Sequence, residues 1–151
     1  KMTKDVLITV KGMQAIEAGE GQEEVEVVAK GDYYFKNGHH FICYEEMLEG
    51  FETPTKNMIK ITDNTVEVQK KGITNTHMVF EEAKKSLTFY TTPFGNMEMG
   101  ISATKIDVKE EPENLDILID YALEINQVHT ADCQIHVNVQ SKEAGEFHLC
   151  S

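Results

Sequence analysis

The chain has 151 residues, a formal net charge of −12 at pH 7 and 14 basic residues, all of them lysine. This length suits a single domain over residues 1–151, which can bury roughly two thirds of the surface of the unfolded chain. The acidic surface repels phosphate backbones and anionic membranes, so neither nucleic acid nor a membrane is expected as a partner. No apolar run approaches the about 20 residues of a membrane span, and no secretory signal pattern is present.

Three cysteines, Cys43, Cys133 and Cys150, form an odd set without C-x-x-C spacing. This argues against a disulfide framework or a structural zinc site, and it is typical of a protein in the reducing cytoplasm. We expect all three thiols to be reduced. Cys133 shares its parity with Ile135 and Val137 and is predicted to be buried, whereas Cys150 lies in a polar tail.

Apolar and polar residues alternate with a period of two along much of the chain, which is the pattern of strands with one buried face. In chain order, the apolar positions that share a face are Val6, Ile8 and Val10; Val25, Val27 and Ala29; Met97, Met99, Ile101 and Ala103; Leu115, Ile117, Ile119, Tyr121, Leu123 and Ile125; and Cys133, Ile135, Val137 and Val139. No segment shows a sustained helical stripe. We therefore predict an all-β protein with little helix.

Turn signals separate these strands. The strongest is Asn37-Gly38, because both central residues of a type I′ hairpin turn need a positive φ. Asp63-Asn64 is a second candidate, and its register places Lys60 opposite Glu67 on the outer face. Further breaks are predicted at 17–22, 81–86, 93–96, 109–114 and 126–132. The result is about eight to ten antiparallel strands in meander order. A barrel is favoured because closure removes exposed edges, and a two-sheet sandwich is the alternative.

The segment DYYFKNGHHFICYEE (32–46) concentrates side chains that bind metals or transfer protons. A two-residue turn at 37–38 places Phe35 opposite His40 and Tyr33 opposite Ile42, and directly opposed residues share a face. The more apolar face is predicted to point inward and carries Tyr33, Phe35, His40, Ile42, Tyr44 and Glu46. The other face, predicted to point outward, carries Asp32, Tyr34, Lys36, His39, Phe41, Cys43 and Glu45.

This register separates the candidate metal ligands. Alternate residues of a strand lie about 6.5–7 Å apart, so His39 and Cys43 are about twice as far apart, whereas zinc ligands lie within about 2.3 Å of the ion. In HTADCQIH (129–136), Cys133 and His136 point to opposite faces. The chain also lacks the GxSxG, GxxxxGK[ST], HExxH and GxGxxG motifs. We therefore expect no metal or cofactor and assign no catalytic residue.

Four segments together resemble the YwiB-like family, small proteins of unknown function found mostly in Gram-positive bacteria. In chain order they are GDYYFKNGHHFICYEE, NTVEVQKKG, YTTPFGNMEMGISATKI and ILIDYALEINQ…CQIHVNV, between Gly31 and Val139. The resemblance implies a calycin-like, lipocalin-related β-barrel and favours a barrel over a sandwich, but it implies no substrate. Where the family pattern is expected to have arginine before a glycine, this chain has Lys70 in KKG, so no role that needs a guanidinium group is carried over.

The leading functional hypothesis is a non-catalytic cytoplasmic binding module that holds a small, partly apolar ligand inside the barrel. A barrel of about eight strands is just wide enough to be filled by side chains or to hold one small ligand. The candidate ligand-binding residues are Tyr33, Phe35, Tyr44, Lys70, Tyr121, Met97 and Met99, with Leu123 on the same face. The same residues would form an ordinary packed core if the interior is filled.

Two alternatives belong to other classes. A filled barrel could serve as a protein–protein interaction module through outward apolar residues such as Val28, Leu118 and Ala122. An unrecognised hydrolase could use tyrosine, histidine and glutamate at the barrel mouth, which would require these groups to converge in a cleft. A monomer and a homodimer are both compatible with the sequence.

Lys70 shares a face with Val68, which points its side chain toward the barrel interior or its rim. A buried ammonium group needs a carboxylate partner, and Glu46 and Glu98 are the candidates. Such an ion pair would close one end of the barrel. Alternatively, Lys70 would receive the acidic head of a ligand whose apolar part lies among Tyr33, Phe35 and Tyr44.

Overall fold

Ten β-strands make up nearly all of the regular structure in the computed structural model, which describes residues 4–16, 22–47, 50, 52–72, 75–92 and 95–142. The strands are β1 (Asp5–Ile16), β2 (Gln22–Lys36), β3 (His39–Glu46), β4 (Thr55–Thr62), β5 (Thr65–Lys71), β6 (Thr76–Glu81), β7 (Lys85–Thr92), β8 (Gly95–Glu111), β9 (Asn114–Ile125) and β10 (Val128–Ser141). Cys150 lies outside the described residues, as do most of the predicted break at 17–22 and part of that at 93–96. No helix in the described ranges is long and apolar enough to cross a membrane.

All ten strands belong to one antiparallel sheet in the order β6-β5-β4-β3-β2-β1-β10-β9-β8-β7. Neighbours in the chain are neighbours in the sheet, and the pairing of β1 with β10 joins the two halves. The edge strands β6 and β7 lie side by side, so the sheet curls into a nearly closed barrel. This confirms the predicted all-β meander barrel. We call the end that carries the turns at 37–38, 63–64 and 112–113 the upper rim, and the opposite end, with the turn at 126–127, the lower rim.

The two predicted two-residue hairpins are confirmed in their registers. Asn37 and Gly38 have φ values of 54° and 79°, and the flanking strands pair Phe35 with His40. In the second hairpin Lys60 pairs with Glu67, and their charged groups lie 3.9 Å apart. The positive φ values at Asn37 and Gly38 are those that a type I′ turn needs, so local turn chemistry sets the phase of the first hairpin.

Two sequence-based expectations were wrong. The predicted break at 126–132 is a turn of only Asn126 and Gln127, with φ values of 50° and 71°, and β10 begins at Val128. The polar residues after this turn lie in a strand that contains an irregularity near its start. Val25 was placed on the inner face with Val27 but is 61% exposed, because its partner in β1 is Gly12, which has no side chain to cover it.

An irregularity in β8 reverses the inward and outward alternation. The pairing with β9 shifts between Ala103 and Lys105, so Ile106 and Glu110, not their odd-numbered neighbours, lie opposite buried residues of β9. The β6–β7 turn packs at this point, because the Ala83 amide donates to the Ala103 carbonyl over 3.0 Å. Bulges of this kind re-aim side chains. Here the shift turns Glu110 toward the inside of the upper rim.

The barrel interior holds a continuous apolar core. Its buried members are Val6, Ile8, Ile42, Tyr44, Ile59, Ile61, Val66, Phe80, Ile101, Ala103, Leu115, Ile117, Ile119, Val137 and Val139. They come from eight of the ten strands, on the faces that the period-two pattern predicted for β1, β3 and β9. Cys133 is also buried and is a free thiol, which confirms its predicted position.

Candidate functional site

A cleft of about 1170 Å³ lies at the upper rim, where the β2–β3 hairpin meets the turn between β8 and β9. Its walls combine aromatic rings with charged groups of both signs. The lining residues are Lys4, Tyr33, Tyr34, Phe35, Lys36, Phe41, Cys43, Glu110, Glu111 and Pro112. Small-molecule sites are typically concave and largely apolar, with a few placed polar groups. This cleft has that composition.

A chain of polar contacts runs through His40 to the cleft. His40 is only 8% exposed, and its Nδ1 atom lies 2.7 Å from the hydroxyl oxygen of Tyr33. Its Nε2 atom lies 3.4 Å from Oε1 of Glu110. A carboxylate accepts hydrogen bonds and attracts positive charge, and the direction of the Tyr33–His40 hydrogen bond follows the tautomer of the ring.

The surroundings of Tyr33 keep its phenol in the protonated form. Burial, together with the nearby negative charge of Glu110, raises the pKa of the Tyr33 phenol above its ordinary value. The phenol therefore stays protonated at neutral pH and can donate to His40. A nucleophilic tyrosine would need its pKa lowered or a base that removes its proton, and the raised pKa opposes the first of these.

Aromatic rings lie beside the polar contacts of His40. The Phe35 ring is 58% exposed and meets the His40 ring edge-on, with 4.9 Å between ring centroids. Phe35 was expected to point inward. Its ring contacts His40 on the inner face, but its position next to the hairpin turn leaves most of it open to solvent. On the outer side, Nζ of Lys4 lies 5.6 Å from the centroid of the Tyr34 ring.

The N-terminal segment is fixed against this hairpin. The backbone amide of Tyr33 donates to the carbonyl of Lys4 over 2.7 Å, which extends the contact between β1 and β2 to the rim. At the neighbouring strand end, the amide of Ser141 donates to the carbonyl of Glu113 over 3.0 Å. The first of these bonds joins Lys4 and Tyr33, which both line the cleft.

The structure divides the sequence-predicted ligand residues among three places. Tyr33 and Phe35 lie at the upper rim, and Tyr121 packs against the core in the interior. The others lie toward the lower rim on different strands: Tyr44 on β3, Lys70 on β5, and the half-buried Met97 and Met99 on β8. Tyr33 and Phe35 are therefore not grouped with Lys70.

Near the lower rim, Lys70 contacts one of its two candidate carboxylates. Its Nζ atom lies 3.3 Å from Oε1 of Glu46, and the buried amide of Asn57 donates to the same oxygen over 3.1 Å. Glu98 instead bonds through its backbone to Asn126 in the β9–β10 turn. The Lys70 side chain is 44% exposed. Burial and the charge of Glu46 raise the pKa of Tyr44 to about 12.

Glu110 is the residue of this site that sequence reasoning missed. The segment 109–114 was interpreted only as a break, whereas the turn is limited to 112–113. A two-residue turn there places Glu110 opposite Leu115, whose inward direction was evident from the alternation of β9. The signal was therefore present on the β9 side of the hairpin. The inward direction of His40 did follow from the hairpin register.

Within the described residues, no group of three His, Cys, Asp or Glu side chains could hold a metal ion. The two described cysteines are also poorly placed for nucleophilic chemistry. Burial, with a contribution from Asp32, raises the pKa of the Cys43 thiol. Burial is also the main cause that raises the pKa of the Cys133 thiol, which shares a hydrogen bond with Tyr121. Thiolates are the reactive form, so both shifts lower reactivity.

Comparisons with known proteins agree with the resemblance seen in the sequence. The chain is 26% identical over 139 residues to the uncharacterized beta-barrel protein YwiB of Bacillus subtilis (strain 168), a match that covers 91% of this chain and 92% of that protein. The crystal structure of the B. subtilis ywiB protein superposes with a TM-score of 0.69 at 24% identity, over 90% of this chain and 93% of the solved chain. That likeness concerns the fold alone. The match to the family described as a domain of unknown function, DUF1934, spans residues 8–137, and this chain belongs to that family.

Proposed function

We propose that this protein is a non-catalytic binding module that takes a small, partly apolar molecule in the cleft at the upper rim. The proposal depends on the contacts that join Tyr33, His40 and Glu110 beside a cleft with exposed aromatic rings in its walls. Preformed polar groups beside apolar walls are what orient a small ligand. The odd number of cysteines, without C-x-x-C spacing, supports a cytoplasmic location as part of this proposal.

The rim is a better place for the ligand than the interior. Ile42, Ile59 and Phe80 are among the side chains of the barrel interior that have almost no exposed surface. Protein interiors pack at the density of organic crystals, so such a core leaves little room for a guest without rearrangement. Phe35, by contrast, presents an aromatic ring that is already open to solvent.

The protein-interaction alternative has weaker support. Val28 is 59% exposed on β2, whereas Leu118 and Ala122 are half-buried on β9. Strands β1 and β10 lie between them in the sheet, so they do not form one continuous apolar patch. Isolated apolar residues on a surface are normal.

The hydrolase alternative is favoured by one observation, the convergence of Tyr33, His40 and Glu110 at the barrel mouth. The raised pKa of Tyr33 opposes its use as a nucleophile, although its hydroxyl lies 2.7 Å from the ring that would serve as its base. The same geometry suits a fixed hydrogen-bonding surface. We therefore favour binding over catalysis.

Native mass spectrometry of the purified full chain tests the proposal. We expect a retained small molecule, or added aromatic probes bound at 1:1 stoichiometry, and loss of either in the Phe35→Ala variant. Phe89→Ala is the matched control, because the Phe89 ring is 65% exposed on β7, away from the cleft. Equal retention by the two variants would contradict the assignment of the cleft. Turnover of a panel of ester substrates that disappears in Glu110→Gln would instead support the hydrolase.

A further inference from the structure

Building on the proposed function, we infer that the ligand bound at the upper rim carries a cationic hydrogen-bond donor, such as an ammonium or amidinium group, attached to an apolar portion. Tyr33, Glu110 and Phe35 are the groups that would recognise it. We call the side of the cleft formed by Tyr33, Phe35 and Glu110 its inner wall. The hydrogen-bonding groups available on this wall decide which ligand it can bind.

The inner wall offers a carboxylate acceptor. Tyr33 also lines the cleft, and its hydroxyl oxygen lies 2.7 Å from Nδ1 of His40. Glu110 is an acceptor in its ionised form, and only its Oε1 atom is in contact with His40. Its side chain is 61% exposed, which leaves the second oxygen accessible to a ligand. A ligand that matches this wall must therefore donate hydrogen bonds.

The basic groups of the cleft lie on its other side. Lys36 pairs with His39, whose side chain points to the opposite face of the hairpin from His40. Nζ of Lys4 lies over the Tyr34 ring, also on that outer face. Among the described residues, neither lysine forms an ion pair with Glu110, whose carboxylate lies beside the His40 ring. The inner wall thus presents a carboxylate that neither of these lysines neutralises.

Phe35 adds a second preference for a cation. Its exposed ring packs against His40, which in turn contacts Glu110, and Phe35 and Glu110 both line the cleft. A cation over an aromatic face is worth about 0.5–1 kcal/mol when exposed and about 2 when desolvated. The net charge of −12 also raises the local concentration of small cations. An anionic head placed here would face Glu110 and be repelled.

Three probes of similar shape separate charge from apolar contact: 2-phenylethylammonium, 2-phenylethanol and 3-phenylpropanoate. Binding to the full chain is measured by isothermal titration at neutral pH and low salt, where the amine is charged. We expect the ammonium probe to bind about ten-fold more tightly than the alcohol, and the carboxylate probe to bind more weakly than both.

Glu110→Gln should remove the preference for the ammonium probe, so that the ratio of the ammonium affinity to the alcohol affinity falls from about ten to about one. Asp107→Asn is the control, because it removes one negative charge from the same strand outside the cleft. Equal or tighter binding of the neutral or anionic probe to the wild type would overturn the inference but leave the proposed binding function intact. If no probe binds and no molecule is retained in native mass spectrometry, both are wrong.

Discussion

The ring of Phe80 on β6 meets the ring of Tyr121 on β9 edge-on, with 5.0 Å between ring centroids. Their strands are not neighbours in the sheet, so this contact joins two walls of the barrel across its interior. Phe80 has no exposed surface, and burial raises the pKa of the Tyr121 phenol, which also shares a hydrogen bond with Cys133. The pair therefore fills space that an internal ligand would need.

Phe80→Ala should destabilise the protein by about 3–5 kcal/mol, because it removes a buried ring and leaves a cavity that neighbouring side chains fill only in part. Phe89→Ala, at a position 65% exposed, should change stability by less than about 0.5 kcal/mol. Urea unfolding followed by circular dichroism measures both. A loss below about 1 kcal/mol for Phe80→Ala would show that the interior is not tightly packed.

Gly31→Ala should also be destabilising, by about 1–3 kcal/mol. A methyl group built at Gly31 would lie 2.4 Å from the carbonyl oxygen of Cys43 and 2.5 Å from Cδ1 of Ile8, and backbone cannot move aside cheaply. Gly12→Ala is the matched control, because nothing lies within 4 Å of the corresponding position. Thermal unfolding of the two variants should separate them. If Gly31→Ala and Gly12→Ala have the same melting temperature, the close approach of β2 to β3 at Gly31 is wrong.

Strand phase was predictable from the sequence because it depends on local chemistry. The Asn37-Gly38 turn fixes the pairing of Phe35 with His40 through its positive φ values, and alternation then assigns each face. The irregularity after Ala103 was not predictable in this way. One extra residue reverses every later position in β8, and it lies where the distant β6–β7 turn contacts the strand.

The candidate site was harder to predict for a different reason. Alternation shows which face of the sheet a residue occupies, but it does not show how high in the barrel that residue lies. Tyr33 and Lys70 share the inner face, yet one lies at the upper rim and the other near the lower rim. His40 and Glu110 meet only because strands far apart in the chain close into a barrel. Such proximity depends on topology and shear.

Cys133 should react with a thiol reagent much more slowly than Cys43 in the folded protein. Cys133 is 9% exposed, whereas Cys43 is half-buried and lines the cleft. Because the pKa of the Cys43 thiol is raised, its labelling should increase as the pH rises past the ordinary thiol value. Mass spectrometry of peptides after timed labelling measures each site. Equally fast labelling of the two cysteines would contradict the assignment of Cys133 to the inward face of β10.

Asp116 on β9 should make stability depend on pH in the acid range. Burial alone would raise the pKa of Asp116, but hydrogen bonds from Asn138, Asn114 and His136 outweigh it and hold the pKa below the usual value of 3.8. A lowered folded-state pKa contributes stability above the unfolded value, and this stability is lost as the pH falls through the folded value.

The difference in stability between the wild type and Asp116→Asn should therefore be larger near pH 7 than at about pH 3. Urea midpoints at both pH values give the comparison. Asp107→Asn serves as the control, since Asp107 is exposed and forms a surface ion pair with Lys105. A difference that stays constant or grows on acidification would mean that the hydrogen bonds to Asp116 do not favour its charged form.

The contacts around Glu46 predict unequal effects for its two partners. In Lys70→Met, Glu46 keeps the hydrogen bond from the buried Asn57, and the lost ion pair involves a lysine side chain that is 44% exposed. Such a pair is worth about 0–1 kcal/mol. Glu46→Ala removes the acceptor of both donors and should cost more, about 1–3 kcal/mol. Lys11→Met, which breaks an exposed pair with Glu26, should have little effect.

Urea unfolding of the Lys70→Met, Glu46→Ala and Lys11→Met variants tests this order, and retention of any bound small molecule is measured on the same samples. Because Lys70 lies toward the lower rim, Lys70→Met should leave retention at the upper-rim cleft unchanged. If Lys70→Met is as costly as Glu46→Ala, the ammonium group and not the carboxylate organises this end of the barrel. If Lys70→Met instead abolishes retention at unchanged stability, the ligand is held by Lys70, and the cleft beside His40 is not its site.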